Sequence, residues 1–126
     1  MILLDTSALL YWTLADDRLS ANAVRAIGQA QQLFISSISI WEIGLKVKTS
    51  KLALPFSLQV YVDNLKDARN VQIVPVTEAT WLKNLELIWD HKDPADRTIV
   101  ATAALLNCPL VTSDAQIRSF YSASIW

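Results

Sequence analysis

The chain opens Met1-Ile2-Leu3-Leu4-Asp5-Thr6-Ser7-Ala8-Leu9-Leu10-Tyr11-Trp12, and no other stretch limits its possible folds as strongly. Ile2 to Leu4 form an apolar run without polar alternation, the pattern of a strand buried on both faces. Asp5 ends the run, and Thr6 and Ser7 begin a segment whose apolar residues continue through Leu9, Leu10 and Tyr11. A buried strand that turns at once into a helix belongs to an α/β crossover, which returns the chain to pair a parallel strand. Asp5 then stands at the C-terminal edge of the sheet, where open α/β sheets bind ligands. It has a second reading as a simple N-cap, because Asp accepts a backbone N–H left unpaired at a helix start. These twelve residues leave both readings open.

The rest of the chain repeats the alternation. Leu33 to Ser36 reads as a second strand, Val71 to Val74 as a third stopped by Pro75, Leu110-Val111-Thr112 as a fourth, and Ala123-Ser124-Ile125 as a short fifth. Ser20 is placed to cap a helix carrying Val24, Ile27 and Gln31 at helical spacing. From Ser36 to Lys48 the residues Ile38, Ile40, Ile43, Leu45 and Val47 fit a strand's alternation, whereas Ile38, Trp41 and Leu45 fit a helix face. The Ser36-Ser37 start signal favours the helix. Further helices are expected over Pro55 to Ala68 with Leu58, Val62 and Leu65 in register, and from Thr77 with Ala79, Trp81, Leu82 and Leu85. Another opens at Asp93-Pro94, with Ile99, Val100, Ala103 and Leu106 on one face. The expected fold is therefore α/β, a three-layer α/β/α sandwich around a parallel sheet of four or five strands. At 126 residues the chain suits a single domain spanning residues 1–126.

Composition removes several classes of function. No apolar run approaches the roughly 18 residues of a membrane helix, and the N-terminus lacks a basic region and cleavage site. A soluble, cytoplasmic protein is expected. The single cysteine, Cys108, cannot form an internal disulfide, and with Asn107 and Pro109 beside it reads as a small core residue. The formal net charge is −1, so any nucleic-acid footprint must be a local patch.

The acidic residues form a pattern within this framework. Asp5 follows strand one, Glu42 lies in the first turns of the helix after strand two, Asp96 lies in the first turn of a later helix, and Asp114 follows strand four closely. Strand C-termini and helix N-termini share one side of a doubly wound sheet. Carboxylates gathered there raise one another's pKa unless a cation offsets them. Oxygen ligands without His or Cys suit Mg2+ or Mn2+, and such ions support phosphodiester hydrolysis. Each acid also has a structural reading. Ser39-x-x-Glu42 matches a capping box, and Glu42 precedes Lys46 by four residues, an ion-pair spacing. Asp93 can cap the helix that Pro94 starts, with Asp96 favoured there by the helix dipole. Asp114 can cap a short helix through Ile117.

Four motifs in order, Leu4-Asp5-Thr6-Ser7-Ala8-Leu9-Leu10, Ser39-Ile40-Trp41-Glu42-Ile43, His91 through Ala103, and Leu110-Val111-Thr112-Ser113-Asp114, resemble the PIN domain, specifically its VapC-like toxin branch. The resemblance covers nearly the whole chain. It implies a PIN-like sandwich and an acidic Mg2+ or Mn2+ site that cleaves RNA, with Asp5 and Asp96 as central metal ligands and Glu42 and Asp114 as the second and fourth acids. Thr6, Ser7 and Thr112 would support the site. It further implies a cognate antitoxin, docked in an apolar groove near the acids, and a homodimer. The chain departs from the pattern at Val100, where Ala is usual, and at Ser113-Asp114, where many toxins have Arg-Asn. Arg97, Lys46 and Lys48, with Lys51 nearby, are the candidate RNA contacts, each read equally as a solvated or paired surface charge. His91, the only histidine, is read as a structural hydrogen-bond partner before a catalytic one.

Trp12, Trp41, Trp81, Trp89 and Trp126 pack in a core by default, but tryptophans also mark interfaces. Two other classes stay open beside the nuclease. A phosphatase or receiver-type domain would use Asp5 as covalent acceptor, yet Ser7 stands where such phosphatases need a second Asp. A non-catalytic module that only binds RNA or protein is the other.

Overall fold

In a computed structural model describing residues 1–126, five parallel strands stand in the order β3-β2-β1-β4-β5: β1 (Ile2–Leu4), β2 (Leu33–Ser36), β3 (Val71–Val74), β4 (Leu110–Val111) and β5 (Ser124–Ile125). β1 pairs β2 with Leu3 opposite Phe34, and pairs β4 with Leu3 opposite Leu110. The chain first builds outward from β1 to β3, then crosses to the other side of β1 for β4 and β5. The strand order reverses between β1 and β4, which opens a crevice at their C-terminal ends.

Seven helices link the strands: α1 (Thr6–Thr13), α2 (Ala21–Gln29), α3 (Ser37–Lys48), α4 (Leu58–Asp67), α5 (Glu78–Glu86), α6 (Pro94–Leu106) and α7 (Ala115–Phe120). Alternate side chains of each strand supply opposite layers. Ile2, Leu4, Leu33 and Ile35 pack with Leu9, Ile27, Tyr61 and Leu65 from α1, α2 and α4. Leu3, Phe34 and Leu110 pack with Ile99, Val100, Ala103, Cys108 and Ile117 around α6 and α7. Val100, where the sequence departs from the pattern it resembles, is fully buried there. The three-layer α/β/α sandwich is thus present, with all five strands formed. No helix is long and apolar enough to cross a membrane.

Several local expectations need correction. Segment 36–48 is helical, but Ser36 is its cap, accepting from Ile38 N–H at 3.3 Å, so Ser39 and Glu42 form no capping box. α4 begins three residues beyond Pro55, at Leu58, because Ser57 caps it through Val60 N–H. α2 buries Ala23 and Ile27 and leaves Val24 exposed. The largest departure is α5. It buries Thr80 and Asn84, while Trp81, Leu82 and Leu85 face outward.

Candidate acidic active site

Asp5, Glu42, Asp96 and Asp114 line one cleft of 210 Å³, together with Thr6, Ser7, Lys46 and Ser113. No hydrophobic residue lines it. The switch point brings Asp5 and Asp114 together, since they follow the adjacent strands β1 and β4. Glu42 arrives on the second turn of α3 and Asp96 on the first turn of α6.

Each acid is held by a specific local device. Asp5 caps α1 through Ala8 N–H to Oδ1 at 2.8 Å, and its Oδ2 accepts from the Thr112 hydroxyl at 2.5 Å. That hydroxyl in turn accepts from Asp114 N–H at 3.1 Å, tying the two acids across β1 and β4. The Thr6 hydroxyl donates to Glu42 Oε1 at 2.5 Å and lies 2.9 Å from Ser39 Oγ. Asp114 caps α7 through Ile117 N–H at 2.9 Å. Asp93 caps α6 by accepting from Asp96 N–H at 3.0 Å, which leaves the Asp96 side chain free for the cleft. Asp96 Oδ2 meets His91 Nε2 at 2.8 Å, and the His91 ring lies 4.7 Å from Trp89. His91 therefore touches an acid of the cleft without lining the cleft itself.

The electrostatics match a crowded acidic site. Burial pushes the Asp5 carboxyl from 3.8 up to about 6, opposed by its hydrogen bonds from Thr112 and Ala8 and reinforced by the charges of Asp96 and Asp114. Glu42 and Asp96 are also raised, first by burial; the Thr6 and His91 hydrogen bonds oppose this, and neighbouring acids add to it. Lys46 is the one cation lining the cleft, and it makes no ion pair with Glu42 within salt-bridge distance.

An all-oxygen donor set with mutual repulsion and a single cation is chemically suited to a hard divalent ion. Glu42 Oε2, Asp96 Oδ1 and Asp114 Oδ2 carry no hydrogen bond within the chain, so these three acids each keep an oxygen for a ligand, whereas both Asp5 oxygens already accept one hydrogen bond. The side chains do not stand as a closed cage, since no three His, Cys, Asp or Glu groups converge on one point. Thr6, Glu42 and Asp96 are instead turned onto protein partners.

The supporting residues Thr6, Ser7 and Thr112 all touch or line the site. Arg97, also expected as an RNA contact, does not line the cleft. Its guanidinium donates to the carbonyls of Asn84, Leu87, Trp89 and His91 at 2.6–3.2 Å and to Asn84 Oδ1 at 3.1 Å. With its five N–H donors committed, it clasps the α5–α6 connection. Lys48 is exposed and lines neither this cleft nor the cavity beside it. Ser39 was missed as a partner of Thr6. Its serine hydroxyl on the buried face of α3 was the available signal.

A larger apolar cavity of 560 Å³ shares Glu42 with the acid cleft, and is lined in part by Ile38, Trp41, Val76 and Trp81. Trp41 is 61% exposed and Trp81 47%, while the other three tryptophans are half-buried.

Comparison with known proteins agrees with this fold. The PIN domain family model matches residues 2–122. Ribonuclease VapC22 of Mycobacterium tuberculosis is 32% identical over 119 residues, covering 94% of this chain and 90% of that protein. A toxin-antitoxin complex from Klebsiella pneumoniae contains a chain of the same fold, with a TM-score of 0.74 at 20% identity, covering 100% of this chain and 97% of that one. Mycobacterium tuberculosis VapC20, described as a sarcin-ricin loop cleaving toxin, superposes with a TM-score of 0.67 at 16% identity, with 94% of each chain covered. These two structures speak for the fold, and the family model and the relative for descent: the chain belongs to the PIN domain family, on its VapC-like branch.

Proposed function

We propose that this protein is a metal-dependent endoribonuclease acting as the toxin of a toxin–antitoxin pair. The observation that carries the reading is the delivery of Asp5, Glu42, Asp96 and Asp114, from four separate stretches, to one polar cleft at the switch point of the sheet. The relative's name, Ribonuclease VapC22, and the neighbours described as a sarcin-ricin loop cleaving toxin and a toxin-antitoxin complex support it.

Asp5 and Asp96 would be the central holders of a Mg2+ or Mn2+ ion, and Glu42 and Asp114 would complete the oxygen donors. When bound, such an ion supplies Lewis acidity toward phosphoryl oxygens and a nucleophile at neutral pH. The chain's own residues prepare the site. Thr112 and Ala8 N–H fix both Asp5 oxygens, Thr6 and Ser39 steer Glu42, and His91 holds Asp96. In-line hydrolysis leaves a 5′-phosphate and a 3′-hydroxyl. The partners are an RNA substrate, a cognate antitoxin and a second copy of the chain. The outward apolar face of α5, continuous with the Trp41–Trp81 cavity, supplies the protein-binding surface.

The test is incubation of the purified, antitoxin-free protein with tRNAs and other structured RNAs in Mg2+, Mn2+ or EDTA, beside Asp96→Asn. Cuts that need metal and disappear in Asp96→Asn are expected. Metal should also raise the thermal midpoint of the native protein, by the equivalent of about 2.7 kcal/mol at a hundredfold excess over Kd, and not that of Asp96→Asn. Folded protein that neither cuts RNA nor gains stability from either metal would remove the nuclease reading.

A further inference from the structure

Next to the acid cleft lies a second cavity of 190 Å³, and the two share Ser7 and Lys46. Its charge is of the opposite kind. Arg18, Lys46 and Lys51 line it against a single carboxylate, Asp16.

Two helix ends build it. α1 closes at Ala15, left-handed with φ 52°, and Asp16 N–H returns to the Tyr11 carbonyl at 2.8 Å. α3 closes at Ser50, left-handed with φ 60°, and Lys51 N–H returns to the Lys46 carbonyl at 2.8 Å. Each turn folds the chain back along the helix it ends. Arg18 thereby comes over the Tyr11 ring, 4.5 Å from its centroid, and Lys51 comes to the same cavity as Lys46.

The charges there are not equivalent. Arg18 is paired, donating from Nε and Nη2 to the two oxygens of Asp16 at 3.1 and 2.8 Å. Lys46 and Lys51 take part in none of the chain's ion pairs. Two unpaired ammonium groups beside a cleft built for a phosphodiester are placed for the next negative charge along the same strand. The Arg18 guanidinium, stacked on Tyr11 and open to solvent on its side chain, offers a flat surface of the kind on which unpaired bases stack.

We infer that this cavity seats the RNA nucleotide adjacent to the scissile phosphate, its phosphate on Lys46 and Lys51 and its base against the Arg18–Tyr11 stack, an assignment that rests on the nuclease reading of the acid cleft.

The experiment measures binding of a short fluorescein-labelled oligouridylate to the cleavage-silent Asp96→Asn protein by anisotropy across a salt series. Adding Lys51→Gln or Lys46→Gln should weaken binding and lower the slope of log K against log salt by about 0.7 each, one phosphate contact on single-stranded nucleic acid. Lys66→Gln, an equal charge change on α4, should leave the slope unmoved. Unchanged slopes in both cavity variants, or an equal change in Lys66→Gln, overturn the assignment. So does partner-protein binding that depends on Lys51 while the RNA slope stays fixed. Cleavage of RNA by the native protein is read in parallel. Cleavage with unchanged slopes removes only the cavity assignment, whereas altered slopes without any cleavage uphold the RNA site and remove the nuclease reading.

Discussion

Asp5 serves two purposes with one side chain. It is the N-cap of α1 and the most buried acid of the cleft, so the two readings of the opening sequence are both correct. Burial raises its pKa from 3.8 to about 6, which means the folded protein favours the neutral acid. The folded state then binds more protons than the unfolded chain between those values, and stability falls as pH rises through that window and is flat above it. Two pKa units correspond to about 3 kcal/mol, so Asp5→Asn should be more stable than the native protein at neutral pH by up to that amount. The gain should vanish below pH of about 4, measured as urea midpoints in metal-free buffer. An equal gain at both pH values would show that ionisation is not its cause. Glu42 and Asp96 are raised in the same direction. The cleft opposes folding at neutral pH, as expected of a site arranged for a ligand and not for stability.

Among the elements, α5 departs furthest from its apolar pattern. Its buried side is polar because it meets α6 through Asn84, which donates to the Thr98 hydroxyl at 3.0 Å, and through the Arg97 clasp. Three carbonyls of the α5–α6 connection and that of Asn84 in the last turn of α5 accept from that guanidinium. Arg97→Met should therefore cost about 2–4 kcal/mol in chemical denaturation, because those acceptors lose a charged donor. Arg97→Lys should recover little, since one ammonium cannot reach the same fan of carbonyls. An Arg97→Lys protein as stable as the native one would refute the clasp. The helix-capping chemistry of α6 was legible from Asp93-Pro94, and both the cap and the start of that helix stand where spacing put them. The facing of α5 was not legible, because its apolar residues Trp81, Leu82 and Leu85 turn away from the core.

At the scale of the molecule, the exposed Leu82 and Leu85 of that outward face, with Trp41 and Trp81 beside them at one cavity, are the apolar surface that the proposed homodimer would cover. Leu85 is 79% exposed, so Leu85→Glu should change folding stability by less than about 0.5 kcal/mol. It should convert a dimer into a monomer in light scattering after size exclusion. A native protein that is already monomeric at high concentration would remove the homodimer from the proposed function.

The sequence by itself determined the strand and helix succession and the sandwich class, and singled out four acids as candidates, because hydrophobic period, capping residues and turn residues are local signals. Strand order, the convergence of those acids on one cleft, and the partners of each side chain were decided only in the tertiary structure. Asp5 and Asp114 are neighbours because β4 returns beside β1 after crossing the sheet, a contact across more than a hundred residues that no local pattern encodes. Arg97 shows the same limit from the other side: its sequence neighbours suggest an exposed cation, and only the path of the α5–α6 connection turns it into the residue that holds that connection closed.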